Sequence, residues 1–358
     1  MTSRRRFLAA LLAASAAPRL GWAAAGSPSY IAAAREPDGR FALFGLDQGG
    51  AQTFRVPLPA RGHAGAAHPS RAEAVAFARR PGPFALVIDC AAGSVLHHLT
   101  PPDGRQFNGH GIFAEGGAVL FTSEQRSDTS AGVIGIWDVA SGYRRIGEVS
   151  THGIGPHDLR LMPDAKTLVV ANGGIATDPS DRTKLNVPTM RSNLSYLDAT
   201  GTLLEQIELS PDLWQNSIRH LAIRRDGLVA FAMQWEGAEN AATPLLGLHR
   251  RGAPPVLAAA PLADELVMQG YAGSVAFAGD GTEVAITSPK GGRVHRFADD
   301  GAFIGPVSRS DICGLAPTRT GVLASDGLGG LLAIQGGTPT LLSRANVAWD
   351  NHLVSLTT

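Results

Sequence analysis

The chain has 358 residues, with Lys+Arg and Asp+Glu equal at 31 each, 44% hydrophobic residues and 17% charged ones. With no basic stripe or acidic tail, nucleic-acid binding has no electrostatic support, and the apolar content supplies a large core and excludes wholesale disorder. Glycine (43) and proline (23) punctuate short apolar runs, a composition suited to many strands joined by tight turns.

The first element is a leader. Ser3-Arg4-Arg5-Arg6-Phe7-Leu8 is followed by an apolar run from Ala9 to Ala17 and then by Gly21-Trp22-Ala23-Ala24-Ala25. This is a charged n-region, a short h-region and an A-x-A type cleavage site, and the arginine string marks the twin-arginine route. A signal peptide over residues 1–25, removed on export to the periplasm, is therefore expected, with 26–358 as one mature domain. No later run approaches the roughly 18 apolar residues of a membrane span, so none is expected in the mature protein.

From there the chain reads as repeated strands. Tyr30-Ile31-Ala32-Ala33-Ala34, Phe41-Ala42-Leu43-Phe44 and Thr53-Phe54-Arg55-Val56 form strands without an opening partner. Six segments then share one layout: a short apolar strand, a Pro/Asp/Gly turn, and a second apolar strand ending in a small or polar residue. They begin near His63, Gly109, Pro156, Ile218, Gly273 and Ile312. Third and fourth strands lie between them, such as Val133 to Asp138 and Tyr143 to Gly147. The spacing is about 40 to 63 residues, as expected of four-stranded propeller blades. The longest interval holds a polar insertion around Gly173 to Ser192, predicted to be a loop on one rim. Trp349-Asp350-Asn351-His352-Leu353-Val354 is an opening strand without a blade. Joined to the N-terminal strands, it closes a seventh blade and leaves no open sheet edge. The predicted fold is an all-β, seven-bladed β-propeller of the WD40, YVTN or quinoprotein-dehydrogenase-like kind.

Five histidines, His63, His110, His157, His220 and His352, stand at or just before opening strands. In a propeller this strand is innermost, so residues far apart in sequence converge at the channel, and imidazole is the commonest ligand for Zn, Cu, Fe or Ni. Counted back from the turns, His63 and His157 sit about one residue earlier than His110 and His220. Adjacent strand residues face opposite ways, so all five can converge only if the strand starts are irregular. The expected ligands are His110, His157, His220 and His352, with Glu124 a fifth candidate. Asp158 and Asp350 are candidates for orienting the imidazoles, and His152 is a reserve ligand. The alternative is that these histidines cap strands or bond neighbouring backbone.

Other chemistry has little support. Cys90 and Cys313 lie in apolar runs and read as small buried hydrophobes, with no CxxCH motif for covalent haem. Ser192, Ser195 and Ser274 lack a nucleophile elbow. The pairs Gly173-Gly174, Gly291-Gly292 and Gly329-Gly330 precede no helix that would aim amides at a phosphate, so no nucleotide site is expected. Met190-Arg191 and Lys184 in the insertion offer contacts to an anionic partner, but read first as solvated loop charges.

Asn108-Gly109-His110-Gly111-Ile112-Phe113, the run from His152 to Arg160 and Val170 to Ile175 resemble the DUF1513 family. So do Ser217 to Leu221, Gly270 to Val275 and Trp349 to Leu353. The resemblance spans essentially the whole mature chain, with Asp158 standing where the family pattern has Glu. It implies a periplasmic, twin-arginine-exported propeller similar to YVTN and quinoprotein types. It further implies a role beside imelysin-like iron-uptake and di-haem peroxidase-like proteins, and it transfers no catalytic residue. The expected function is transition-metal handling, with iron foremost among Fe, Cu and Zn. The alternatives are a metal-dependent lactonase, hydrolase or oxidoreductase, and a metal-free interaction scaffold.

Overall fold

The computed structural model describes residues 20–80, 82–239 and 241–356, and the strands are numbered in chain order from β1 (Tyr30–Arg35) to β28 (Ala348–Ser355). They form seven four-stranded antiparallel sheets, as predicted. Six sheets take their strands in unbroken sequence. The seventh has the order β28-β1-β2-β3, with β2 at Phe41–Leu46 and β3 at Gln52–Leu58. Its closure pairs Tyr30 with Ser355, Ile31 with Val354 and Ala32 with Leu353, so the two ends of the chain complete one blade.

The burial of each strand follows from its place in a blade. Second strands are covered on both faces, and they read as unbroken apolar runs rather than alternating ones: β5 (Glu73–Ala78) and β13 (Leu168–Asn172) are buried at every residue. Fourth strands lie on the outer rim, and β7 (Ser94–Leu99) and β27 (Thr338–Arg344) are exposed along most of their length. The core is a series of seams between neighbouring sheets. Val75, Phe77 and Val87 of one blade meet Phe107, Phe113, Leu120 and Trp137 of the next. Phe121 and Ile134 then meet Leu159, Val170 and Leu197 across the following seam. Each seam is a sheet-on-sheet interface in which branched and aromatic side chains interdigitate.

The innermost strands are β4 (Gly62–Ala67), β8 (Arg105–Ala114), β12 (Pro156–Leu161), β16 (Asn216–Ile223), β20 (Ser274–Phe277), β24 (Ile312–Pro317) and β28. Each packs against the next, and β28 closes the ring on β4. The insertion between β13 and β14 (Asn193–Leu197) is a rim loop, as predicted. It is tied down by Asn186, whose side-chain amide donates to Gly174 O at 2.9 Å and whose Oδ1 accepts Ala176 N at 2.7 Å.

At the N-terminal end, Trp22–Ala25 forms a short 3-10 turn against the blade built on β4 and β5. Trp22 Nε1 donates to His68 O at 2.9 Å, and Ala25 is buried with Ala72 and Cys90. These are the last residues of the expected leader; its arginine string, Arg4 to Arg6, lies outside the described residues. Among the described residues no helix is long and apolar enough to cross a membrane.

Candidate metal centre

Six of the seven inner strands break their register, and in five of them, all but β24, the break stands beside a channel histidine. Gly62 and Gly65 of β4 pair with Ala78 and Ala76, so β4 carries an extra residue beside His63. The same holds between Pro156 and Leu159 around His157, and between Ile218 and His220. On β8, four residues from Phe107 to Gly111 advance against two of β9 (Val119–Arg126). On β28, four from Trp349 to Leu353 advance against two of β1. A β-bulge bends the strand and re-aims a side chain. Here one stands beside every channel histidine, and the bulges differ in length. That resolves the mismatch in strand phase: a count of alternating residues fails because the strands do not alternate at this point.

The sequence Gly109-His110-Gly111 shows how tightly the channel is built. Gly109 has φ +96°, and a Cβ there would stand 2.5 Å from His63 Cδ2; one at Gly111 would stand 2.4 Å from Phe77 Cζ. Both glycines let the β8 backbone pass beneath neighbouring rings.

The five imidazoles converge. His110 lies against all four others, with ring centroids 5.0 Å from His63, 4.8 Å from His157, 5.8 Å from His220 and 4.8 Å from His352. Those four follow one another in a closed circuit: His63 to His157 at 5.3 Å, His157 to His220 at 4.7 Å, His220 to His352 at 4.8 Å and His352 to His63 at 4.6 Å. This is the neighbour pattern of a square pyramid with His110 at the apex. One ligand nitrogen each from His63, His110, His157 and His352 lies within 4.8 Å of the others, close enough that a metal ion could be held among them. Each of the five rings also has a buried nitrogen without a hydrogen-bond partner: His63 Nδ1, His110 Nε2, His157 Nδ1, His220 Nδ1 and His352 Nε2.

The electrostatics favour neutral rings, the form that donates a lone pair to a metal. Burial, reinforced by neighbouring imidazoles and, at His157, by Arg219, holds His63, His157, His220 and His352 well below the ordinary imidazole value. His110 Nδ1 faces Asp158 Oδ1 at 3.2 Å, and both side chains are almost fully buried. Burial pushes the Asp158 carboxyl up, but Arg160 and His110 beside it outweigh that and keep it ionised. A carboxylate on Nδ1 fixes the tautomer and leaves His110 Nε2 bare, the arrangement commonly found behind metal-bound histidines.

Of the residues expected as ligands, His110, His157 and His352 come together with His63, which was not among them, while His220 lies beside this group with its ring centroid 4.7 Å from His157 and 4.8 Å from His352. Glu124 stands apart, on the side of β9 facing the third strand of its blade, where Oε1 accepts Arg145 Nη1 at 2.7 Å and Thr122 Oγ1 at 2.5 Å. Its carboxylate serves an interior ion pair, not the channel. Asp158 takes the orienting position expected of it. Asp350 pairs with Arg61 at 2.6 Å instead, and His152 is exposed at the outer end of a fourth strand, with Nε2 3.0 Å from Gly201 O. Cys90 and Cys313 are buried free thiols, pushed up to about 12 by that burial.

Above the histidines a cavity opens, lined by His63, His157, His220, Asn108, Tyr271 and Asn351 together with Arg79, Arg80, Arg182 and Arg219. His110 and His352 are not part of its wall, so the cavity meets the cluster at His63, His157 and His220. One signal in the sequence marks these arginines, their position beside the histidine pattern: Arg219 precedes His220, and Arg79 and Arg80 end the hairpin that begins at His63. Lys184 of the insertion pairs with Glu236, and Arg191 stacks over Trp214 at 5.1 Å.

Fold and cluster define the class: a seven-bladed β-propeller with a buried five-histidine cluster in its channel. The chain belongs to the DUF1513 family, described as a protein of unknown function, whose model matches residues 56–356. Among solved structures, hydrazine synthase of Kuenenia stuttgartiensis is similar, with a TM-score of 0.58 and 17% identity over 89% of this chain and 96% of that one, a likeness of fold alone. No curated protein matches the sequence.

Proposed function

We propose that this protein binds a transition-metal ion, with iron(II) the foremost candidate, among its channel histidines, and serves metal handling in the periplasm. The observation that carries the reading is that five separate blades each deliver one buried imidazole, through a local bulge, to one cluster in the channel. A structural role would leave those rings hydrogen-bonded, since a buried polar atom without a partner costs about 1–3 kcal/mol. Five such nitrogens are explained together by one cation.

The donor set narrows the metal. Structural zinc is almost always tetrahedral, and five imidazoles exceed its needs. Cuprous ion selects thiolate or thioether, and neither cysteine belongs to the cluster. Nitrogen-rich sites of higher coordination suit iron(II) and nickel(II). Export of the folded protein by the twin-arginine route would let the site fill in the cytoplasm, before copper or zinc competes for it. The implied setting is beside imelysin-like and di-haem peroxidase-like iron-uptake proteins.

Elemental analysis of protein purified without chelator tests this: close to one iron per chain is expected, and less than about 0.2 metal atoms of any kind would sink the reading. Cell fractionation checks the compartment. The cavity that reaches His63, His157 and His220 also favours a second reading, a metal-dependent hydrolase or oxidoreductase, because catalytic centres keep a position free for substrate. Turnover of lactones or redox dyes by the metal-loaded protein would select it over handling.

A further inference from the structure

The mouth of the channel carries positive charge that nothing among the described residues neutralises. Arg80 and Arg219 are only 7% and 9% exposed. Their contacts are long ones to neutral amides: Arg80 Nη1 to Gln125 Oε1 at 3.5 Å and Arg219 Nε to Gln234 Oε1 at 3.4 Å. Arg79 and Arg182 stand at the exposed lip of the same cavity. The nearby carboxylates are engaged elsewhere, Asp350 with Arg61, Glu236 with Lys184 and Asp158 with His110 and Arg160. Among the described residues, none of the four arginines has a carboxylate within ion-pair distance. Burying a guanidinium without an anion is costly, and two are buried here side by side. A bound cation beneath them would deepen the imbalance.

Two further features shape the cavity. The insertion supplies Arg182, and its root packs under Arg219, whose Nη1 lies 3.0 Å from where a Cβ on Gly173 would stand. Asn108, Tyr271 and Asn351 add neutral polar groups to the wall. The planar donor fork of arginine matches carboxylate and phosphate oxygens. Four forks at two depths, in a cavity that also reaches His63, His157 and His220, suit a ligand with several oxyanionic groups better than a single compact anion.

We propose that the channel mouth is a subsite for a small polycarboxylate, held by Arg80 and Arg219 at depth and by Arg79 and Arg182 at the lip, with one oxygen donor turned to the histidine cluster. The metal would then be taken up or released as its polycarboxylate complex. The proposal rests on the metal reading for that last oxygen, while the arginine subsite stands on its own contacts.

Isothermal titration of the mature protein, metal-free and iron(II)-loaded under anaerobic conditions, tests it with citrate, inorganic phosphate and an uncharged tricarboxamide. Citrate is expected to bind both forms, at least tenfold more tightly when iron is present, and the tricarboxamide to bind neither. Arg219→Gln should weaken citrate about tenfold or more. Arg182→Gln, on an exposed loop, should weaken it several-fold while leaving the melting temperature unchanged, which separates loss of the subsite from loss of the fold. Phosphate binding as tight as citrate would overturn the polycarboxylate class. No binding of either anion at about 10 mM to iron-loaded protein would overturn the subsite and leave the metal reading intact. Arginine-dependent citrate binding by a chain that takes up no metal would support the subsite and overturn the metal reading.

Discussion

Asp158 joins two blades through one carboxylate: its Oδ1 lies 3.2 Å from His110 Nδ1 on β8, while its Oδ2 accepts the Leu221 amide of β16 at 3.0 Å. The carboxylate therefore orients the apical imidazole and ties down the strand that carries His220. Asp158→Asn keeps an oxygen for the Leu221 amide but removes the charge that fixes the His110 tautomer. Metal affinity should fall by about 10–100-fold with the melting temperature of the metal-free protein little changed. Competition titration against a chelator of known affinity gives the first number, and thermal unfolding the second.

The metal-free protein should lose stability in mild acid. Burial, with neighbouring imidazoles and Arg219 adding to it, holds His63, His157, His220 and His352 well below 6.5 in the folded state. The unfolded chain binds those protons as pH drops through 6.5, and the folded chain does not. The stabilisation is therefore fully present above about pH 6.5 and lost as pH falls toward the folded values. Each histidine contributes up to about 1.4 kcal/mol per pH unit in that window. The melting temperature should be flat from pH 8 to 7 and fall steadily from 6.5 to 5. A flat profile to pH 5 would show that the rings take up protons as readily in the folded state as in the unfolded one.

Gly109 should tolerate no side chain. Alanine there meets both an unfavourable backbone, at φ +96°, and the His63 ring, 2.5 Å from the new Cβ. The expected cost is about 2–4 kcal/mol in denaturant unfolding, with weakened metal binding because His63 must move. Wild-type metal affinity in a folded Gly109→Ala protein would contradict the placement of His63 beside this turn.

Glu124 should matter for stability alone. Glu124→Gln leaves a neutral acceptor for Arg145 and Thr122, and Arg145 keeps Glu148 at 2.9 Å. A loss of about 1–3 kcal/mol is expected, with metal stoichiometry and affinity unchanged. A drop in bound metal for this variant would return Glu124 to the ligand set.

The strands were legible because they are local. Two-residue alternation and the turns at Asp38-Gly39, Asp226-Gly227 and Asp280-Gly281 mark hairpins whatever surrounds them. The doubly buried second strands, such as Leu168 to Ala171, announced themselves as unbroken apolar runs. The pattern of histidines at blade starts was visible for the same reason. Regular pleating through the opening strands would set His63 and His157 out of phase with His110 and His220, and the bulges that bring them together leave no mark in the sequence. Glu124 ends an apolar second strand just as a channel residue might, and only the side on which its carboxylate lies excludes it.

The sequence by itself determined seven blades, their closure by β28 and β1, and the set of strands that line the axis, because each follows from short-range periodicity and turn chemistry. Tertiary structure decided how far each inner strand bulges, and so which histidines face one another, because bulge length is set by register against the neighbouring strand. It also decided that Arg79, Arg80, Arg182 and Arg219, scattered over 140 residues of chain, share one cavity above the cluster. Unpaired charge and converging imidazoles are properties of a volume, and no single stretch of sequence contains them.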